Sequence, residues 1–91
     1  MNYYSPKETT KEASDFYNAN IDKMNQIVKI EVHNKKHMVI FTDINGNKMF
    51  LYNMGCGFKT EGSRAAYEII KQYGVRESDF FNKYDEFIVE L

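Results

Sequence analysis

Few side chains in this sequence stand at a spacing that chemistry needs, and most of those that do lie in one stretch, Gly55-Cys56-Gly57-Phe58-Lys59-Thr60-Glu61-Gly62-Ser63-Arg64. Glycines running into a helix start leave backbone N–H groups at the positive end of the helix dipole, a setting that suits an anion. Gly55, Gly57, Lys59, Gly62, Ser63 and Arg64 are therefore the candidate nucleotide- or anion-binding residues. The spacing departs from the known phosphate loops. Gly57 and Gly62 match the first half of a Walker A loop, but Ser63-Arg64 follows where Lys-Ser/Thr is required. The glycines do not spell G-x-G-x-x-G either, and 91 residues cannot hold the βαβ array that motif serves. The competing reading is a connection whose glycines supply positive φ.

Cys56, between two glycines and near Lys59, is the nucleophile with a route to a lowered pKa. A Cys–His pair would need His33 or His37, which flank a turn, to reach it across the sheet end, and no third orienting residue is evident. The two histidines have no second Cys/His pair to complete a metal site. Neither an enzymatic role nor a metal or other cofactor is expected.

Two charged surfaces are candidates for partners. Glu77, Asp79, Asp85 and Glu86 interleave with Phe80, Phe81, Tyr84 and Phe87. This is either an amphipathic helix with a solvated outer face or an acidic surface that docks on a basic protein in place of phosphates. Lys29, Lys35, Lys36 and Lys48 form a candidate basic sheet end. With no stacking aromatics evident on the same face, direct nucleic-acid binding is disfavoured.

The elements that must position these residues leave local signals. Ser5-Pro6-Lys7-Glu8 has the form of a capping box with proline at the first helical position, predicting a helix from about Pro6 to about Met24. Its apolar face is Ala13, Phe16, Tyr17, Asn20 or Ile21, and Met24. Val28, Ile30 and Val32 alternate with polar residues, as a half-buried strand does, and Met38–Thr42 and Lys48–Tyr52 read as two further strands. Asn45-Gly46 signals a two-residue type I′ turn, which sets Phe41 opposite Phe50 and Ile40 opposite Leu51. Around Asn34-Lys35-Lys36, a two-residue loop sets Ile30 beside Val39 and a three-residue loop sets it beside Ile40. Ala65, Ala66, Ile69, Ile70 and Tyr73 form the buried face of a helix that Gly74 ends in the left-handed conformation. From Ser78, read as a cap, the spacing of Phe80, Phe81, Tyr84, Phe87 and Ile88 is helical, while Phe87, Val89 and Leu91 also alternate as an edge strand would. The expected fold is a single α+β domain over residues 1–91. It has an N-terminal helix, a three-stranded antiparallel β-meander and two C-terminal helices, the last residues fitting helix or edge strand.

Composition sets the outer bounds. A chain this short buries roughly 60–65% of its unfolded surface, so stability should be modest and homo-oligomers would add to it. A single cysteine permits no internal disulfide and points to a reducing compartment. Met1 to Pro6 carries no charged leader followed by an apolar run, and apolar stretches reach only four residues, as from Met38 to Phe41. A cytoplasmic protein without a membrane span is the expectation. The net charge of −1 and a pI near 6.1 fall short of the pI above ~9 of dedicated nucleic-acid binders.

The order of helix, meander bearing Asn45-Gly46, and two helices ending in acidic and aromatic residues resembles several small phage-encoded inhibitors of bacterial defence, the anti-CRISPR type among them. The likeness covers the layout of the whole chain and rests on no diagnostic motif. It implies a tight-binding, non-enzymatic protein in the host cytoplasm whose acidic surface blocks a nucleic-acid-binding host protein, and it transfers no individual residue. A small protein that binds a nucleotide or other anion at residues 55–64, assembled as an oligomer, is the alternative.

Overall fold

The computed structural model describes residues 1–91 as one α+β unit. In chain order it contains β1 (Asn2–Tyr4), α1 (Thr10–Asn20), β2 (Ile27–His33), β3 (Met38–Asp43), β4 (Lys48–Tyr52), α2 (Glu61–Ile70), the short α3 (Glu77–Phe80) and β5 (Glu86–Glu90). The strands form one sheet in the order β1-β4-β3-β2-β5. The expected meander is its centre: β2, β3 and β4 are antiparallel neighbours. Two edge strands extend it, β1 parallel to β4 and β5 antiparallel to β2. The alternation of Phe87 and Val89, not the helical spacing, governs the end of the chain.

The N-terminus differs from the sequence reading for a local reason. Thr9, not Ser5, is the N-cap of the first helix, with Glu12 in the place expected of Glu8. The Thr9 Oγ1 accepts the Glu12 N–H at 3.1 Å and donates to the Glu12 carboxylate at 2.9 Å. Ser5 is buried and extends the β1–β4 ladder: its N–H donates to Phe50 O (2.9 Å) and its Oγ accepts the Tyr52 N–H (3.0 Å). The segment before Thr9 is therefore claimed by the sheet. At its other end α1 stops at Asn20, and Ile21–Lys23 follow as a 3-10 turn.

Both hairpin registers also differ. Asp43 N–H donates to Asn47 O (2.9 Å) and Gly46 N–H to Asp43 O (3.0 Å), closing a three-residue loop in which Gly46 alone takes positive φ (+83°). Phe41 consequently pairs with Met49 and Ile40 with Phe50, one residue from the type I′ register. The Asp43 carboxylate explains the choice, since it accepts N–H groups from Asn25, Asn45 and Asn47 and the Asn47 side-chain amide at 2.9–3.1 Å. Such an Asx-centred turn outcompetes the local preference of Asn45. In the first hairpin, Asn34–Lys36 form a 3-10 turn and His37 closes it at φ 49°, so Ile30 pairs with Phe41, not with Val39 or Ile40.

These registers sort the sheet into two unlike faces. Tyr3, Met49, Phe41, Ile30 and Val89 form one cross-strand row; Leu51, Val39, Val32 and Phe87 form the next, and both face the helices. Ala13 and Tyr17 of α1 and Ala66, Ile69 and Ile70 of α2 cover them. The Tyr17 and Tyr73 hydroxyls meet at 2.6 Å within this layer, and burial pushes the pKa of both upward. Gly74 ends α2 and its 3-10 extension at φ 87°, as expected. Ser78 is not a cap; α3 begins after Arg76, which makes no side-chain capping bond. Helices lie on one side of the sheet only, and the thinnest dimension, 20 Å, is that of two layers. No helix is long and apolar enough to cross a membrane.

Candidate functional site

The Gly-rich junction connects β4 to α2, and its glycines are there for close approach. A Cβ at Gly55 would stand 2.5 Å from Asn34 Oδ1, one at Gly62 2.7 Å from Asn53 O, and one at Gly57 2.3 Å from Lys83 O. Gly57 also needs its φ of +77°. The donors that an anion cradle would use are largely spent on acceptors of the protein itself. Cys56 N–H reaches Asn34 Oδ1 (2.7 Å), Gly57 N–H reaches Phe80 O (3.2 Å) and Ser63 N–H reaches Thr60 Oγ1 (3.2 Å), which caps α2.

The charged members of the junction do not converge with the polar one. Ser63 is buried and lines a cleft of about 530 Å³ with Thr10, Asn34, His37 and Asn53. Lys59 and Arg64 are exposed and line a separate depression with Glu68, Lys71 and Glu77. Lys59 Nζ rests 5.7 Å from the centre of the Phe81 ring, and Lys71 is paired with Glu68 at 2.7 Å.

Cys56 is 1% exposed, and burial pushes its thiol up to about 11 despite the favourable contact with Asn34, with the Asp85 charge adding to the rise. The lowered pKa that its neighbours in sequence suggested is thus reversed by burial, which favours the protonated thiol at neutral pH. Although His37 lines the same cleft, His33 lies elsewhere, on the helix-free face of the sheet. No cluster of three or more His, Cys, Asp or Glu side chains is placed to hold a metal ion.

The four acids expected to dock a partner are dispersed. Glu77 lines a cleft of about 770 Å³ with Phe58, Phe81 and Tyr84. Asp79 is held by Arg76 at 3.0 and 3.4 Å, and Asp85 lies in the exposed turn before β5, its carbonyl accepting Asn34 N–H at 3.0 Å. Glu86 is on the helix-free sheet face, 3.5 Å from His33 Nδ1, while Glu31 approaches the other ring nitrogen at 3.3 Å.

That sheet face is the surface the sequence reading missed. Its central row runs Tyr4, Phe50, Ile40, Glu31, Ile88 across all five strands. On one side of it lie Asn2, Lys48, Thr42, Lys29 and Glu90; on the other, Tyr52, Met38, His33 and Glu86. The Tyr4 and Phe50 rings stack at 4.8 Å with 8° between their planes, and Lys7 Nζ stands 4.8 Å over the Tyr52 ring. Tyr4 is 55% and Ile88 48% exposed. The signal that could have found this face was the alternation of Lys48, Phe50 and Tyr52 with Met49 and Leu51, which becomes readable only once the Asp43 loop fixes the register. Comparison with protein-family models, curated proteins and solved structures finds no match to this chain.

Proposed function

We propose that this chain is a non-enzymatic binding protein whose working surface is the helix-free face of its sheet. The observation that carries the reading is the pairing of Tyr4 with Phe50 and of Phe50 with Ile40 on a face that no helix covers. Tyr, Phe and Met are the residues that enrich binding surfaces, and here they sit contiguously on rigid strands. The Gly-rich junction supports the alternative of a nucleotide or anion site less well, because its glycines are filled by protein and Ser63 and Arg64 line different depressions.

A second reading, docking on a basic host protein as the layout resemblance implies, draws on Glu31, Glu86 and Glu90 at the β2–β5 side of the same face. Of the four acids singled out in the sequence, only Glu86 contributes there. Tyrosine footprinting tests the surface itself. Labelled inside the producing cell, Tyr4 and Tyr52 should be protected relative to the purified protein, while Tyr84, outside this face and 52% exposed, should react equally in both. Equal reactivity of all three tyrosines in both settings would refute the assignment.

A further inference from the structure

We propose that the β1–β4–β3 half of this face binds single-stranded nucleic acid. The inference rests on the reading of that face as the working surface and names the chemistry of its partner.

The first ground is how charge is divided. Every carboxylate on the face, Glu31, Glu86 and Glu90, belongs to β2 or β5. The positions that β1, β4 and β3 contribute are Asn2, Tyr4, Lys48, Phe50, Tyr52, Met38, Ile40 and Thr42, with no acid among them. Lys48 and Lys29 flank Thr42 across adjacent strands, and Lys7 reaches over Tyr52 from the segment after β1. A protein of net charge −1 thus keeps one half-sheet free of negative charge and sets three lysines around it.

The second ground is the aromatic geometry. Lys48, Phe50 and Tyr52 alternate along one strand, so cation and rings recur at a same-face spacing of roughly 7 Å. Tyr4 stacks on Phe50 and is still 55% exposed, so a further planar group can extend the stack. An acidic peptide would use the lysines but gain little from the stack, whereas a nucleobase strand uses both, with bases on rings and phosphates on ammonium groups. A duplex is the wrong shape, since this flat face has no protruding helix or ribbon to enter a groove. The sequence reading disfavoured nucleic acid because no aromatics were evident beside the lysines; the register of β4 puts them there.

Fluorescence anisotropy with short labelled oligothymidylate and oligouridylate tests the proposal, with a duplex of the same length as control. Binding of the single strands in preference to the duplex is expected, with log affinity falling against log salt at a slope of about −2, as contacts to roughly three phosphates imply. Tyr4→Ser and Lys48→Glu should each weaken it on the order of tenfold. Both residues are on the solvent side of the sheet, and unchanged thermal unfolding confirms that each variant is folded. Glu31→Lys, which removes an acid from the boundary of the half-sheet, should strengthen binding, an effect that no loss of fold can mimic.

Failure to bind at about 100 µM protein, the weak end of non-specific association, would overturn the proposal. So would binding that ignores both Tyr4→Ser and Lys48→Glu. If Tyr4 and Tyr52 are protected in cells and stay protected when a nuclease-treated lysate is labelled, the partner is a protein: the nucleic-acid inference fails and the surface assignment stands. Protection that nuclease abolishes supports both.

Discussion

The Asn34 side chain brackets the Cys56 peptide, accepting its N–H at 2.7 Å through Oδ1 and donating to its carbonyl at 2.9 Å through Nδ2. The same Nδ2 donates to Tyr84 O, so one amide ties the β2–β3 turn to both the Gly-rich junction and the approach to β5. Asn34→Ala would leave three backbone groups without this partner, at about 1–3 kcal/mol for the buried ones. Asn34→Asp should fare no better, because a carboxylate keeps the acceptor but faces two carbonyls where a donor is required. Chemical denaturation should show a loss of this size in both variants.

The buried thiol makes a testable pH prediction. A folded pKa of about 11 lies above the ordinary thiol value near 8.5, so the fold favours the protonated form. The stability this contributes is complete below the unfolded value and declines as pH rises from about 8.5 toward 11. Comparison with Cys56→Ser isolates the effect, since serine does not ionise there and tyrosines and lysines are common to both. The wild type should lose more stability than the variant across that window. At neutral pH the thiol should also resist aromatic disulfide reagents until the protein is unfolded, and Cys56→Ser should retain full binding.

Asp43 acts in the opposite direction. Burial alone would raise its carboxyl pKa, but the hydrogen bonds from Asn25, Asn47 and Asn45 outweigh it and hold the group at about 2. Its folded value is below the unfolded value near 3.9, so its contribution is present above pH ~4 and is lost as pH falls toward 2. Asp43→Asn should flatten the acid limb of the stability curve and weaken the protein at neutral pH, as seen in thermal unfolding across that range. A variant with an unchanged acid limb would show that the turn is not held by this charge.

Gly46 and Gly57 separate backbone strain from crowding. Both have positive φ, +83° and +77°, but a Cβ at Gly46 meets nothing within 4 Å while one at Gly57 would overlap Lys83 O. Gly46→Ala should therefore cost about 1–2 kcal/mol, the left-handed penalty. Gly57→Ala adds overpacking against backbone and should cost about 3 kcal/mol or more. Equal losses in denaturant unfolding would mean that the Lys83–Tyr84 segment yields easily.

How much of this was legible in the sequence depends on where each signal was decided. The meander, the Gly74 stop and the α2 face follow from periodicity and turn chemistry within a few residues, and they were readable. The start of α1 was misplaced because two capping-box sequences occur in series, and only the sheet's use of Ser5 selects the one at Thr9. The hairpin registers turn on Asp43, whose carboxylate draws a donor from Asn25, eighteen residues away. That contact is invisible to local pattern, yet it decides whether Phe50 faces the helices or solvent. The glycines of the junction looked like a ligand site for the same reason: the atoms filling them, Asn34, Asn53 and Lys83, come from other parts of the chain.

The exposed edge of β5 leads to the last prediction. Glu86, Ile88 and Glu90 share the helix-free face of this strand, and β5 is the terminal strand of the sheet. An antiparallel copy pairing about Ile88 would set Glu86 of one chain opposite Glu90 of the other, twice, and like charges directly opposed on a sheet are destabilising. Charged residues on an edge strand are a common guard against such pairing. Replacing both with threonine removes the repulsion and installs a residue of high β-propensity, while leaving the Phe87 and Val89 core contacts in place. The Glu86→Thr/Glu90→Thr double variant should therefore associate at concentrations where the wild type does not, as measured by light scattering across a concentration series. The association should be insensitive to salt in the variant, whereas high salt should promote it weakly in the wild type by screening the opposed carboxylates. If the variant and the wild type show the same oligomeric state at every concentration, the glutamates are not what keeps this edge apart.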